Sequence, residues 1–376
     1  MTDYYYIILL TVFITFALAA AIQLFYYLFF YLSVHVFKSD NKKIDKQPVS
    51  VIICARNEAE NLKMFLPSVL KQDYPDYEVI VVNDCSEDNS YEVLGNLQDQ
   101  YPHLKVSNIN KDPKFSHSKK LAQVVGIKAS HNDILLFTDA DCQPDSDKWL
   151  ENMASHFDKK TSFVLGYGGY AKKTGALNKY IRYDCMFIAM QYLGMAIRGI
   201  PYMGVGRNMA YRRSLFFSKK GFGAFNHLAS GDDDLFVNLN ANKENTCVEF
   251  RSGTHTRSVP CSTLSGWMRQ KKRHLTTAPY YKFRDKFLLI TEPLSRVIFY
   301  ASFIVLLCFL FFWPYVLGVF GLRLIIQIIV FSLVQKKLNE PGLLAYSLFF
   351  DIFSPVINCI LYISNFRKRS VNSTWK

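Results

Sequence analysis

Apolar and polar positions divide the chain into three zones. Residues 4–36 carry no formal charge, a run well beyond the roughly 20 residues that cross a bilayer. From residue 48 to about 160, short apolar runs alternate with mixed stretches of helical length. The spacing predicts strands at 49–54, 77–82, 104–107 and 134–138, separated by helices at 59–71, 91–98 and 119–129. Strands joined by helices of this length build right-handed βαβ units, hence an α/β fold with a mainly parallel, Rossmann-like sheet. Beyond Pro293 three apolar stretches return, near 297–313, 314–334 and 343–363, the second interrupted by Arg323 and Gln327.

Between these zones the pattern is less regular. Residues 162–240 mix glycine-rich turns with amphipathic stretches, and 235–241 reads as a helix. Residues 264–289 interleave Trp267, Tyr280, Tyr281, Phe283 and Phe287 with lysine and arginine. That composition suits a helix lying on a membrane surface, the alternative being a cationic helix of the soluble domain. The expected organisation is an anchor at 1–37, a soluble α/β domain at 48–260, an interfacial segment at 261–292, membrane segments at 293–364 and a tail at 365–376.

Residues 17–21 resemble a signal-peptidase site, but no basic region precedes them and the apolar run continues well past Ala21. An uncleaved anchor is the better reading. Lys38, Lys42, Lys43 and Lys46 follow it, which places the α/β domain in the cytoplasm at the inner or plasma membrane. The basic Arg367-Lys-Arg369 belongs on the same side, and this requires an even number of crossings in between. One of the three C-terminal stretches is therefore expected to be re-entrant, interfacial or fused with its neighbour, and the sequence does not choose among them.

The formal charge of +13 is concentrated beside apolar segments, at Lys271-Lys-Arg273 and Arg367-Lys-Arg369. This favours anionic lipid headgroups over nucleic acid as the partner. The eight cysteines show no CxxC pair and no metal-type spacing, as expected of scattered reduced thiols.

Chemistry enters with Asp139-Ala-Asp141, at the end of the strand 134–138. Side chains at i and i+2 of a strand share a face, so both carboxylates can meet one hard cation such as Mg²⁺ or Mn²⁺ carrying a diphosphate. A solvated acidic turn is the competing interpretation. Arg56 and Glu58 follow the first strand in a polar turn whose backbone N–H groups could meet a diphosphate. Asp84 ends the second strand, where a carboxylate can accept hydrogen bonds from a ribose or base. Asp232, Asp233 and Asp234 open a predicted helix, and mutual repulsion can make one of them a better base. Gln270, Arg273 and His274 fall on one helical face.

Taken in order, these motifs resemble an inverting family 2 glycosyltransferase of the GT-A fold, similar to membrane-bound ceramide glucosyltransferases and polysaccharide synthases. The likeness runs from the Val-Ser-Val-Ile-Ile and Arg-Asn-Glu of residues 49–58 through Asp84, Asp139-Ala-Asp141, the Gly-x-Gly-Arg-Asn-Met-Ala-Tyr of 204–211 and the acidic triplet to Gln270-Lys-Lys-Arg273-His274. The resemblance implies a nucleotide-diphosphate sugar donor held by Arg56, Glu58, Asp84, Lys120 (or its neighbour Lys119), Asp139, Gln270 and Arg273. It implies a metal, Mg²⁺ or Mn²⁺, on Asp141 with Asp139, and an acceptor side at Gly206, Asn208, Trp267 and His274. Aligned on Leu235, the family's acidic motif makes Asp232 the general base, with Gly231 in place of a glutamate and Asp233 as the alternative base. The implied function is transfer of a sugar to a lipid or growing glycan at the bilayer. Sugar nucleotidyl transfer and non-catalytic sensing of a nucleotide sugar are the alternatives.

Overall fold

The computed structural model describes residues 2–39, 46–110, 118–228 and 230–366. Lys42, Lys43 and the basic tail from Arg367 lie outside them. The chain opens with α1 (Thr2–Phe25), widens into a π-helical stretch over Tyr26–Tyr31, and closes this helix as α2 (Leu32–Val36). Strict alternation follows: β1 (Val49–Ala55), α3 (Ala59–Leu70), β2 (Tyr77–Asp84), α4 (Ser90–Gln100), β3 (Leu104–Ile109), α5 (Lys119–Ala129) and β4 (Ile134–Asp139). Next come β5 (Cys142–Pro144), α6 (Trp149–Ala154), β6 (Phe163–Gly166), β7 (Gly168–Tyr170), α7 (Ala176–Ile197), β8 (Met209–Arg212) and α8 (Arg213–Ser218). The domain closes with α9 (Asp234–Asn240), β9 (Thr246–Glu249), β10 (Thr256–Ser258) and α10 (Leu264–Leu275), before α11 (Phe283–Cys308), α12 (Trp313–Lys337) and α13 (Leu344–Phe366).

The main sheet has the order β3-β2-β1-β4-β8-β6-β9, and a smaller one the order β5-β10-β7. β1 pairs in parallel with both β2 and β4, whereas β8 runs antiparallel to β4 and β6. Every residue of β1 is buried, as expected of a central strand covered on both faces. Strand order reverses at β1, so a crevice opens between the carboxyl ends of β1 and β4, the usual place for a ligand in such sheets. Register puts Cys54 beside Asp139 there.

α5 brings its first turn to this crevice. The Ser118 side chain caps it by accepting from the Leu121 N–H at 3.3 Å. Gly126 lets the helix lie close on the sheet, since a Cβ at that position would meet Ile52 Cγ2 at 2.8 Å.

Among the described residues, four helices are long and apolar enough to cross a membrane: Asp3–Val36, Phe283–Cys308, Trp313–Lys337 and Leu344–Ser364. The basic aromatic stretch expected as one helix over 264–289 is two, because α10 ends at Leu275 and residues from Phe283 onward belong to α11. Pro293, read from sequence as a boundary, is carried inside α11. There Tyr26 donates to the Leu288 carbonyl at 2.7 Å and Gln23 to the Glu292 carbonyl at 3.1 Å, so side chains of the first helix serve carbonyls around the proline. Arg323 and Gln327 do not interrupt α12; both face inward. Asp351 accepts from Arg296 at 3.1 Å, Arg323 at 2.7 Å, Tyr300 at 2.7 Å and Tyr27 at 3.3 Å, while Arg296 also pairs with Glu292 at 2.8 Å.

Two junctions fasten the domain to these helices. At Gly194 of α7 a Cβ would stand 2.4 Å from the Phe30 carbonyl, so only glycine lets the two backbones meet. Between α12 and α13, the fully buried Glu340 accepts from Arg182 of α7 at 2.8 Å and Tyr167 at 2.8 Å, and pairs with Arg257 of β10.

A third junction carries a pH dependence. Glu249 of β9 is fully buried and takes hydrogen bonds from Ser39, just past α2, at 2.9 Å, and from His156 at 2.7 Å. Burial works against a charged His156, but its bonds to Cys247 and Glu249 win and hold the imidazolium up to about 9. The stability contributed by the protonated His156 is therefore full below pH 6.5 and drains away as pH rises through about 9. Melting temperature is expected to fall between pH 7 and 9.5, and His156→Gln is expected to flatten that part of the profile. An unchanged slope in the variant would assign the fall to other groups.

Candidate active site

The loops after β1 and β2 brace each other at the crevice. The Asn57 N–H donates to Ser86 Oγ at 2.9 Å, the Glu87 N–H to Asn57 Oδ1 at 2.7 Å, and the Ala59 N–H to Asp88 at 2.9 Å. Asn57 itself sits at φ 53°, a left-handed conformation that asparagine tolerates better than most residues. Asp84 is fully buried at the end of β2. The Arg56 Nε is buried with no hydrogen-bond partner among the described residues, a donor left unsatisfied by the protein alone. Glu58 is buried and accepts from Asn61.

Asp139, Asp141 and Cys142 bring their ligand atoms within 4.8 Å of one another. They converge through a turn, not through the strand periodicity expected from sequence: β4 ends at Asp139, residues 140–141 turn, and β5 starts at Cys142. Ser258 of β10 donates to Asp141 Oδ2 at 2.9 Å, and the Val259 N–H reaches the Asp141 carbonyl at 3.2 Å. Lys119, in the first turn of α5, places its Nζ 2.6 Å from Asp139 Oδ1.

These contacts set the local charge states. Burial favours the neutral form of Asp139, but the Lys119 ammonium outweighs it and holds the carboxyl below its ordinary value, with Arg207 and Arg273 acting in the same direction. Asp141 is pushed up, by burial and then by the negative charge of Asp139. Burial also raises the Cys142 thiol well above its usual value, so it stays protonated. Hard cations prefer oxygen, which leaves the two carboxylates as the ligands of this group suited to Mg²⁺ or Mn²⁺.

Two members of the acidic triplet, Asp232 and Asp233, come to the same lysine as Asp139. Asp233 Oδ2 accepts from the Gly206 N–H at 2.9 Å and its Oδ1 from the Asp234 N–H at 2.8 Å. A Cβ on Gly206 would lie 3.4 Å from that Oδ2 and 3.5 Å from Lys119 Nζ, so Gly206 lies beside both. Asp232 is buried, and burial followed by the charge of Asp233 raises its carboxyl. Asp234 turns away to accept from Thr277 and, at 2.7 Å, from Tyr281. Burial and Asp233 push it up to about 7 against those donors. Lys119 is thus surrounded by Asp139, Asp232 and Asp233, which overcome its burial and keep it charged.

Several expected site residues stand elsewhere. Lys120 donates to the Phe225 carbonyl at 2.7 Å, and Lys119 is the lysine that meets the Asp-Ala-Asp turn. Asn208, expected on the acceptor side, is fully buried: it accepts from Trp149 at 3.0 Å and donates to the Tyr167 and Thr254 carbonyls at 2.9 and 2.7 Å. Trp267 is also enclosed, edge-on to Tyr180 at 5.2 Å. Gln270 approaches Tyr170 at 3.4 Å, Arg273 acts on Asp139 from a half-buried position, and His274 is exposed. Sequence reasoning carried Arg207 only within the 204–211 motif on the acceptor side; its guanidinium lies 4.4 Å over the Tyr170 ring and its charge reaches Asp139 and Asp141. Its signal was a lone cation inside a glycine-rich segment. Ser258 carried no signal of its own.

Comparison with known proteins agrees with this frame. Residues 50–217 match the model for glycosyl transferase family 2. Over 375 aligned residues the chain is 26% identical to a probable glycosyltransferase, YdaM, of Bacillus subtilis, covering 92% of this chain and 80% of that protein. It is 38% identical over 109 residues to the glycosyltransferase AglE of Haloferax volcanii, covering 28% and 34% of the two chains. It is 29% identical over 110 residues to a poly-beta-1,6-N-acetyl-D-glucosamine synthase of Staphylococcus epidermidis, covering 29% and 25%. Among solved structures, the mannosyltransferase PcManGT of Pyrobaculum calidifontis, determined with GDP-Man and Mn²⁺, superposes with a TM-score of 0.57 at 16% identity, covering 90% of this chain and 99% of that one. That likeness is one of fold. The chain carries a glycosyl transferase family 2 domain on a GT-A-like, mainly parallel sheet.

Proposed function

We propose that the protein is a membrane-embedded, metal-assisted inverting glycosyltransferase that moves a sugar from a cytoplasmic nucleotide-diphosphate donor to a lipid or growing glycan at the bilayer. The observation that carries this reading is the cluster around Lys119. An ammonium 2.6 Å from Asp139 also faces Asp232 and Asp233, which gathers two acidic motifs far apart in sequence into one cleft. The nucleotide-sugar complex of the structural neighbour supports a donor of that class.

In this reading Asp84 and Arg56 receive the nucleoside end, and the unpartnered Arg56 Nε gains an acceptor. Asp141, with Asp139, would hold the cation, which when bound neutralises diphosphate charge and makes the leaving group a better one. Arg207, Arg273 and Gln270 add fixed positive charge and a donor on the side where the diphosphate leaves. Asp232 accepts the proton of the acceptor hydroxyl. Both oxygens of Asp233 already accept backbone N–H groups, which fixes its carboxylate in the frame. Gly206 and His274 border the acceptor side. Attack from the Asp232 wall, opposite the departing diphosphate, inverts the anomeric carbon.

The test is turnover of a panel of nucleotide sugars by purified protein with host membrane extract. Release of nucleoside diphosphate is expected only with Mg²⁺ or Mn²⁺, to stop with a chelator and to resume on adding metal back. Release of pyrophosphate would instead indicate nucleotidyl transfer, and binding without turnover would indicate a sensor.

A further inference from the structure

The helices can be ordered by depth from their contacts. At the end remote from the α/β domain, Tyr6 meets Phe311 at 5.6 Å and Phe13 meets Phe312 at 5.4 Å. At the near end Tyr26 bonds to Leu288, Arg198 of α7 donates to the Phe29 carbonyl at 2.8 Å, and the loop after α12 delivers Glu340 to Arg257. α1 and α12 therefore run toward the domain and α11 away from it.

α13 begins at the near end; Asp351 reaches Arg296, Tyr300 and Arg323 within α11 and α12, while the residues before and after it keep to near-end partners. Tyr346 lies under Lys179, Phe350 packs on Tyr180 and Tyr183 at 4.9 and 5.3 Å, and Ser354 accepts from Arg296 at 3.3 Å. The helix packs against α7 and α10 as well as against α11 and α12. α10 is itself fixed to the domain by the Lys271–Asp184 pair at 2.7 Å. Leu361, near the end of α13 and 3% exposed, belongs with Ile357 to the same apolar core as Trp267, Met268, Leu275 and Leu288. The remote cluster of Phe16, Phe299, Phe303, Leu306 and Val316 includes no described residue of α13. A helix of 23 residues is about 34 Å long, so a crossing α13 would have passed that cluster. Its outer face is apolar, with Phe349, Phe353, Val356, Ile360 and Ile363 all exposed, and its inner face is polar at Ser347, Asp351 and Ser354.

We propose that α13 lies along the bilayer surface on the side of the α/β domain, its apolar face set into that leaflet. Only the N-terminal helix, α11 and α12 then cross. Two crossings separate the domain from the tail, so Arg367-Lys-Arg369 returns to the domain's side, where anionic headgroups attract it. This rests on the membrane-embedded reading above and is independent of the reaction.

The test labels sealed vesicles with an impermeant maleimide at Lys160→Cys, on the exposed surface of the domain, and separately at Ser373→Cys in the tail. Both cysteines are expected to react from the same side; reaction from opposite sides overturns the proposal. In a Cys308→Ser background, a fluorophore on the exposed Cys359 is expected to be quenched more by lipids brominated near the carbonyl than by those brominated near the acyl terminus. Cys359 sits 15 residues past Leu344, so a crossing α13 would carry it about 22 Å from the near boundary, beyond the midplane of a roughly 30 Å core, where the acyl termini are nearer than either carbonyl level and that order reverses. A label silent to both lipids would put another protein surface on this face and equally overturn the proposal. Loss of transferase activity would leave these readouts untouched, so the two readings fail separately.

Discussion

Asp232→Asn is expected to remove sugar transfer while donor binding survives. The amide keeps the shape of the carboxyl but cannot take a proton, and loss of a positioned general base slows turnover by roughly 10²–10⁴-fold. Asp233→Asn is expected to cost much less, because its remaining carbonyl oxygen can still accept one of the backbone N–H groups that hold it. Single-turnover transfer measured beside titration of nucleoside diphosphate separates the two effects. If Asp233→Asn abolishes turnover and Asp232→Asn does not, the base has been assigned to the wrong neighbour.

The second large effect is expected on stability, far from the cleft. Asp351→Ala leaves Arg296 and Arg323 buried with Glu292 as the one acidic partner of the cluster. Removing one member of a buried ion network costs about 3–5 kcal/mol, most of it from the stranded charge. Ionisable groups among apolar helices are tolerated only when paired in this way. A charge-balanced double change, Asp351→Leu with Arg323→Met, keeps the Glu292–Arg296 pair and should recover a large part of the loss. Thermal unfolding in detergent or nanodiscs checks both. A single variant as stable as the parent would mean that water or lipid phosphate already serves the arginines.

β1, β2 and β4 were legible because each is a mainly apolar run buried on both faces and bounded by polar turns, and β3, an edge strand with Lys105 and Asn108 exposed, was legible from its place between two helical stretches. β7, β8 and β10 were not, since segments of three or four residues leave no periodicity to read. α7 escaped because it is buried on most of its circumference between the sheet and the long apolar helices, so its polar and apolar positions do not separate into stripes. Its buried Arg182 and Asp184 find partners in Glu340 and Lys271 only in the folded chain.

At the site, motif order located the acidic groups, but which neighbour faces the cleft was a matter of helical phase. Lys119 and Lys120 are adjacent on α5 and point about 100° apart, and nothing local distinguishes them. Asn208 and Trp267 lie within motifs that carry chemistry, yet each is spent on holding the frame. The convergence of Asp139 and Asp141 was anticipated for the wrong local reason, a strand where the chain makes a turn.

Glu340 ties the long apolar helices to the candidate site over a very short route. It grips Arg257, whose neighbour Ser258 steadies Asp141. A fragment trimmed to the water-soluble portion would forfeit that acid, strand an arginine among aromatic rings and slacken the small sheet at the point where the donor's cation would rest. The packing of α12 against α13 and the alignment of the donor would thus form a single mechanical property.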